Sequence, residues 1–244
     1  MPLRVGFDLD GTVADMYFAL RREAIELFGE EVLRTPEEST KPQQADKEEK
    51  AQVKPEDDQA ATLAVQELHL TSRQQNQLWD HVKKIENFWT TLPELEPGII
   101  SRIAKAATER RWEVIFLTTR PATAGELVQM QSQRWLEAHG FQYPSVYVVQ
   151  RSRGKIADAL ALDAFVDDRP ENCLDIAVES KAKVILVWHG KVADVPAGAK
   201  RLGVRAVTSI SEGLEVLEQL DDVRNERGLL KSIKRVLRGD AARV

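Results

Sequence analysis

Leu3, Val5 and Phe7 alternate with other residues up to Leu9, and the pattern stops at Asp10-Gly11, which predicts a strand running into a tight turn. From Ala14 to Phe28 the spacing changes: Phe18, Ile25, Leu27 and Phe28 recur at loosely helical intervals, and Gly29 offers a C-terminal stop. Between Arg34 and Thr62 the pattern lapses. Pro36, Pro42 and Pro55 punctuate a run of Glu, Lys, Gln and Asp in which Val53 is the only large aliphatic residue. Such a stretch buries too little apolar surface to offset its ordering entropy, so a solvated or loosely helical excursion is expected. Helical spacing returns through Leu68, Leu78, Val82, Ile85, Phe88 and Trp89, and residues 14–95 therefore read as a helical insert.

After the insert, helix and strand patterns alternate. Strands are expected at 114–117, 146–149, 164–166, 184–187 and 204–207, and helices at 99–110, 123–139, 154–160, 171–179 and 211–220. The expected fold is α/β: a Rossmann-like parallel sheet flanked by helices, formed by residues 1–13 and 96–221 and interrupted by a small helical cap over 14–95. Residues 222–244 form a further unit, in which Leu229, Leu230, Ile233, Val236 and Leu237 make an apolar stripe among Lys231, Lys234, Arg235 and Arg238. This basic amphipathic helix is expected to pack on its own domain, with an acidic partner or a membrane surface as the alternative.

Composition narrows the function classes. With 244 residues, 43% of them hydrophobic, the chain can bury a proper core. Its 34 Lys+Arg against 39 Asp+Glu give a formal charge of -5, which argues against coating a nucleic acid polymer. Cys173, the one cysteine, cannot form an internal disulfide, and no Cys/His spacing suggests zinc. No apolar stretch reaches the roughly 18 residues of a membrane span, and a cytoplasmic protein is expected.

Ligands of open parallel sheets bind beyond the carboxyl ends of the strands. Asp8-Leu9-Asp10-Gly11-Thr12, Thr118-Thr119-Arg120 and Asp167-Asp168-Arg169 all fall at such ends, and Gly154-Lys155 opens a helix just before the last of them. Four carboxylates in one crevice repel one another unless a cation sits among them, and oxygen-only ligands favour Mg²⁺. Thr118, Thr119 and Lys155 would supply a donor set and a positive charge for phosphoryl oxygens. Asp8 and Asp10, two residues apart, would lie on one side of an extended chain, one able to attack phosphorus and the other to pass a proton.

Asp8-Leu9-Asp10-Gly11-Thr12 resembles the signature of the haloacid dehalogenase-like phosphatase superfamily, and Thr118, Lys155 and Asp167-Asp168 follow in that family's chain order. The resemblance implies a phosphomonoester hydrolase working through a phosphoaspartate. Asp8 would be nucleophile and metal ligand, and Asp10 general acid and base whose carbonyl also meets the metal. Thr118 and Lys155 would hold phosphoryl oxygens, and Asp167 and Asp168 would complete the Mg²⁺ site. Residues 87–98, Trp135-Leu136 and Phe165-Val166-Asp167-Asp168-Arg169-Pro170 further resemble the 5'(3')-deoxyribonucleotidase branch, which implies a small phosphorylated metabolite, a nucleoside monophosphate, under the cap. Thr119-Arg120 departs from that branch, which leaves a sugar phosphate or phosphoglycolate as alternative substrates. Phe18, Trp79, Phe88 and Trp89 are candidate base platforms, and Arg120 a candidate substrate clamp. The histidines are scattered, and none is expected at the crevice. A receiver-like signalling module, or a non-catalytic binder of phosphate ligands, is the non-enzymatic alternative. A receiver would carry its acidic pair on the first strand and its lysine last.

Overall fold

The computed structural model describes residues 2–30, 68 and 70–237, so the excursion expected over 34–62 lies outside the described residues. Six strands make one sheet: β1 (Arg4–Asp8), β2 (Glu113–Thr118), β3 (Ser145–Val148), β4 (Ala164–Asp167), β5 (Lys183–Val187) and β6 (Arg205–Val207). All pairings are parallel, in the order β3-β2-β1-β4-β5-β6. The chain winds outward from β1 to one edge and then from β4 to the other, so the switch in direction falls between β1 and β4. A crevice opens at that point in doubly wound sheets.

The helices are α1 (Met16–Phe28), α2 (Ser72–Val82), α3 (Ile99–Arg110), α4 (Val128–Ala138), α5 (Arg153–Ala159), α6 (Pro170–Glu179), α7 (Ala197–Arg201) and α8 (Ile210–Leu237), with 3₁₀ turns at Phe88–Thr90 and Val192–Asp194. They cover the sheet on both faces. Val5, Phe7, Phe116, Val166 and Val187 point into one core with Leu20, Phe88, Trp89, Ile103, Trp135 and Leu217. Leu117, Phe165, Val184 and Leu186 point into a second with Ala157, Cys173, Ile176 and Ala199. The apolar alternation read along each strand thus divides residues between two buried faces rather than between core and water.

Two expectations change in detail. In α1 the buried face is Met16, Ala19, Leu20, Glu23 and Ala24, while Phe18 and Leu27 face outward. The helix expected over 211–220 runs on as one continuous α8 through Leu237, and residues 238–244 of the expected C-terminal unit lie outside the described residues. No helix among the described residues is long and apolar enough to cross a membrane.

The insert leaves and rejoins the sheet through paired stems. Asp15 N–H donates to Pro93 O (3.0 Å) and Leu95 N–H to Val13 O (2.9 Å). Between its helices, the buried Glu23 carboxylate meets His81 Nε2 at 3.2 Å and Arg22 at 2.7 Å. Phe88 and Trp89 are wholly buried and meet edge to face at 5.0 Å, which seats the returning stem against α4.

Gly6 leaves room on β1 for side chains of and beside β4: a Cβ there would lie 2.3 Å from Phe165 Cδ2 and 2.9 Å from Leu162 Cδ1. Gly6→Ala should therefore lower the unfolding free energy by about 1–3 kcal/mol through overpacking. Gly198→Ala, whose Cβ would only touch Leu174 at 3.6 Å in a helix, should be neutral or stabilising. Urea unfolding midpoints of the two variants compare these outcomes directly.

Candidate active site

β1 ends at Asp8, and the chain then folds back at once. Val13 N–H and Ala14 N–H both donate to Leu9 O, and Gly11 takes a φ of 82°, a left-handed conformation suited to glycine. A Cβ on Gly11 would also collide with Asp168 Oδ2 at 2.3 Å, so this turn lies directly against the end of β4. Thr12 Oγ1 donates to Asp168 Oδ1 at 3.1 Å across the same junction.

Oxygen atoms of Asp8, Asp167 and Asp168 lie within 4.8 Å of one another. The sequence placed four carboxylates around one cation, but the structure gathers three. Asp10 turns instead toward the end of β2, because the ladder stops at Asp8 and the following residues no longer alternate like a strand. There Asp10 accepts from Arg120 Nε at 3.0 and 2.8 Å, from Arg120 Nη2 at 2.7 Å and from Thr118 Oγ1 at 3.1 Å.

Asp167 is wholly buried, and its oxygens accept from Arg169 N–H (2.9 Å) and from Asn172 Nδ2 (3.1 Å to each oxygen). Asp168 is half-buried and holds only the Thr12 hydroxyl among these partners. Of the acidic pair, Asp168 therefore has more lone-pair capacity left for a ligand.

Burial pushes the Asp8 carboxyl up to about 7, and the charges of Asp167 and Asp10 add to the rise against the pull of Arg153. Asp167 is raised by burial, and Asp168 well raised by burial and then by Asp167 and Asp8. A bound cation would relieve all three at once.

The positive charge in this cluster comes from Arg153, which the sequence reading did not single out. Its Nη1, buried, stands 2.6 Å from Asp8 Oδ1 and 3.3 Å from Asp167 Oδ2, an ion-pair contact in which this nitrogen has no aligned hydrogen-bond acceptor among the described residues. Although burial alone would lower it, the charges of Asp8 and Asp167 raise the guanidinium's affinity for its proton. Lys155, the residue expected here, is exposed. The difference is one of helix phase. Ser152 caps α5, accepting from Lys155 N–H, and Asp175 accepts from Gly154 N–H (2.8 Å) and from Ser152 Oγ, which pins the start of α5 to α6. A Cβ on Gly154 would strike Asp175 O at 2.4 Å, so the helices touch there. Arg153, Gly154 and Ala157 then form the buried side. Ala157, four residues after Arg153, was the available signal.

Other expected residues divide as follows. Thr118 is buried and faces Asp10, and Thr119 is half-buried beside it. Trp89 is no platform: its ring is fully buried, its Nε1 donates to Pro121 O at 2.9 Å and the Arg120 guanidinium lies 5.0 Å from its centre. Phe88 is likewise buried and Trp79 partly so, whereas Phe18, in the first turn of α1, is 50% exposed. Contrary to expectation, one histidine reaches the crevice: His189, just beyond β5, has Nε2 2.9 Å from Gly11 O, and must donate since a carbonyl only accepts. Arg169 is buried beside Asp167, and its Nε has no hydrogen-bond partner among the described residues.

No family model matches this chain, and no curated protein matches it. Solved structures do. A predicted phosphatase from Clostridium acetobutylicum aligns over 89% of this chain and 99% of its own, with a TM-score of 0.53 at 13% identity. A haloacid dehalogenase-like hydrolase from Xanthomonas campestris aligns over 92% and 98%, with a TM-score of 0.51 at 16% identity. A hydrolase of the same family from Deinococcus radiodurans, solved with bound phosphate and sodium, aligns over 89% and 96%, with a TM-score of 0.51 at 15% identity. The parallel six-stranded sheet and its flanking helices are the haloacid dehalogenase-like fold.

Proposed function

We propose that the protein is a Mg²⁺-dependent phosphomonoester hydrolase that uses Asp8 as nucleophile. The observation that carries this reading is the position of Asp8: a buried carboxylate at the end of a central strand, inside a three-carboxylate cluster and 2.6 Å from a buried guanidinium nitrogen with no aligned acceptor. An all-oxygen donor set of this kind fits Mg²⁺, with Asp8 and Asp168 as the direct ligands, since Asp167 already spends its lone pairs on Arg169 and Asn172. Bound there, the ion would neutralise charge on Asp8 and on the phosphoryl group so that the two anions can meet.

Asp8 then attacks phosphorus, forming an acyl phosphate while the bond from phosphorus to the leaving oxygen breaks, and Asp10 gives that oxygen its proton. Water next attacks the same phosphorus, loses a proton to Asp10 and frees Asp8, releasing inorganic phosphate. Arg153, ion-paired beside Asp8, supplies the positive charge for phosphoryl oxygens.

For the leaving alcohol, the half-exposed Phe18 ring, three residues past the Asp15 cap of α1, supports a nucleoside monophosphate, in line with the sequence resemblance to 5'-nucleotidases. The opposite observation favours a sugar phosphate or another small phosphate ester: Phe88 and Trp89 are used up in packing, which removes two of the four aromatic platforms. Comparing kcat/KM over deoxynucleotides, ribonucleotides and sugar phosphates decides between them, and a large preference for sugar phosphates rejects the nucleotide reading.

Asp8→Asn should abolish Mg²⁺-dependent phosphate release, and undiminished turnover by that variant rejects the nucleophile. Arg153→Met should lower kcat/KM by about 100-fold or more, the scale of losing one donor to developing charge. Lys155→Met should stay near wild type, and the reverse order would return the phosphate contact to Lys155.

The Asp8 carboxyl also sets a pH dependence. Its folded value of about 7 lies above its ordinary 3.8, so the folded state keeps a proton that the unfolded chain has lost. Stability from this group is full below about 3.8 and falls as pH rises through 7. In chelator, Tm should drop between pH 5 and pH 8, and added Mg²⁺ should raise it more at pH 8 than at pH 5. Asp8→Asn should lessen the slope of the chelator profile, to which the raised Asp167 and Asp168 carboxyls still contribute, and an unchanged slope would count against this origin.

A further inference from the structure

His189 stands at the crevice without a part in the chemistry above. The sheet order puts β4 between β1 and β5, so the ends of β1 and β5 are about 10 Å apart. His189, two residues past β5, closes that gap: its Nε2 donates at 2.9 Å to the carbonyl of Gly11, three residues past β1. The bond therefore spans the end of β4, where Asp167 and Asp168 lie. Both ends of this strap are braced. Trp188 N–H donates to Val207 O at 2.8 Å and its Nε1 to Lys191 O at 2.9 Å, which ties the loop carrying His189 to β6 and to itself. In the turn after β1, Gly11 N–H donates to Ala14 O at 2.9 Å, while Val13 and Ala14 N–H share Leu9 O. The Gly11 carbonyl is left outside this internal set, and His189 takes it.

We propose that His189 is a positioning residue for the cation site: it holds the turn after β1 against Asp168 and so sets how tightly Mg²⁺ is bound. This rests on the Mg²⁺-dependent phosphatase reading above. The link runs through three neighbours. His189 fixes the Gly11 carbonyl, and Gly11 stands so close to Asp168 that a Cβ on it would lie 2.3 Å from Oδ2. Thr12, the next residue, donates its hydroxyl to Asp168 Oδ1 at 3.1 Å. A turn that drifts from the end of β4 takes this donor with it and leaves the Asp168 carboxylate free to swing. The other side of the turn is held independently, by Asp10 to Arg120 toward β2, so losing His189 loosens it only toward β4 and β5. Removing an outer partner of a metal ligand weakens ion binding by about 10–100-fold, and His189, acting one step further out, belongs at the lower end of that range. His189 touches neither the ion nor the phosphoryl group in this account, which separates it from a ligand or a substrate contact.

Calorimetric titration with Mg²⁺ in the absence of substrate tests the proposal in wild type, His189→Ala and His189→Gln. His189→Ala should raise the Mg²⁺ Kd by about 10-fold. His189→Gln, whose side-chain amide can donate to the same carbonyl, should recover most of that loss. At saturating Mg²⁺ the kcat of both variants should return close to wild type, with substrate KM unchanged. Thr12→Val should also raise the Mg²⁺ Kd, and the double variant should lose less than the product of the two single losses, because both act on Asp168 through one turn. If His189→Ala fails to fold, His189→Asn, too short to reach Gly11 O, replaces it and should raise Kd to the same extent. An unchanged Kd in the Ala or Asn variant, an equal rise in His189→Gln, or fully multiplicative losses with Thr12→Val overturns the proposal. A raised substrate KM with Mg²⁺ affinity intact overturns it as well. Wild-type protein that binds no Mg²⁺ or releases no phosphate rejects the functional reading and the proposal with it, whereas an active, Asp8-dependent enzyme whose His189 variants bind Mg²⁺ like wild type rejects only the role of His189.

Discussion

Three carboxylates within reach of one ion, at the centre of a protein, are an electrostatic load that apolar packing alone cannot carry. Much of the surrounding architecture answers that load. Arg153 is driven into contact with Asp8 and Asp167, Asn172 and the Arg169 backbone satisfy Asp167, and Thr12 meets Asp168. The Asp10 carboxylate is turned away from the other three and given a guanidinium of its own. Charge separation of this kind divides labour between two aspartates only two residues apart. Asp8 is left buried among like charges, and Asp10 is held in a buried ion pair.

The sheet makes this division possible. Its winding reverses between β1 and β4, so the ends of these strands are neighbours, and Gly6 and Gly11 leave room there for the side chains of Phe165 and Asp168. On the other side β2 delivers Thr118 and Arg120 to Asp10. Each neighbour of β1 thus serves a different aspartate, and the backbone turn between Asp8 and Asp10 is what assigns them.

Where the sequence was informative, the signal was periodic and local. The strands and most core helices followed from apolar spacing, and the acidic positions from their place at strand ends. The choice between Lys155 and Arg153 was not visible in the same way, because it depends on the rotation of α5 about its axis. That rotation is set by Asp175, twenty-one residues away, through its bond to Gly154. The burial of Trp89 was hidden for a similar reason. An aromatic residue in a cap can face a substrate or a neighbour, and here the neighbour is Arg120, whose pairing with Asp10 joins segments 110 residues apart. His189 reaches Gly11 across 178 residues, a contact no local pattern announces. Long-range polar pairing, rather than hydrophobic patterning, was the part left unread.

The hydrogen bonds joining Asp15 to Pro93 and Leu95 to Val13 have an entropic consequence. They fix the two ends of the inserted chain beside each other, and the free energy of closing a loop between fixed ends grows only with the logarithm of its length, by about 0.6 kcal/mol per doubling. The turn from Leu9 to Ala14 is thereby insulated from what lies between the stems. Segments of very different size and composition could be exchanged there with little effect on the stability of the sheet, so the insert is free to diversify while the strand ends that gather the carboxylates stay fixed.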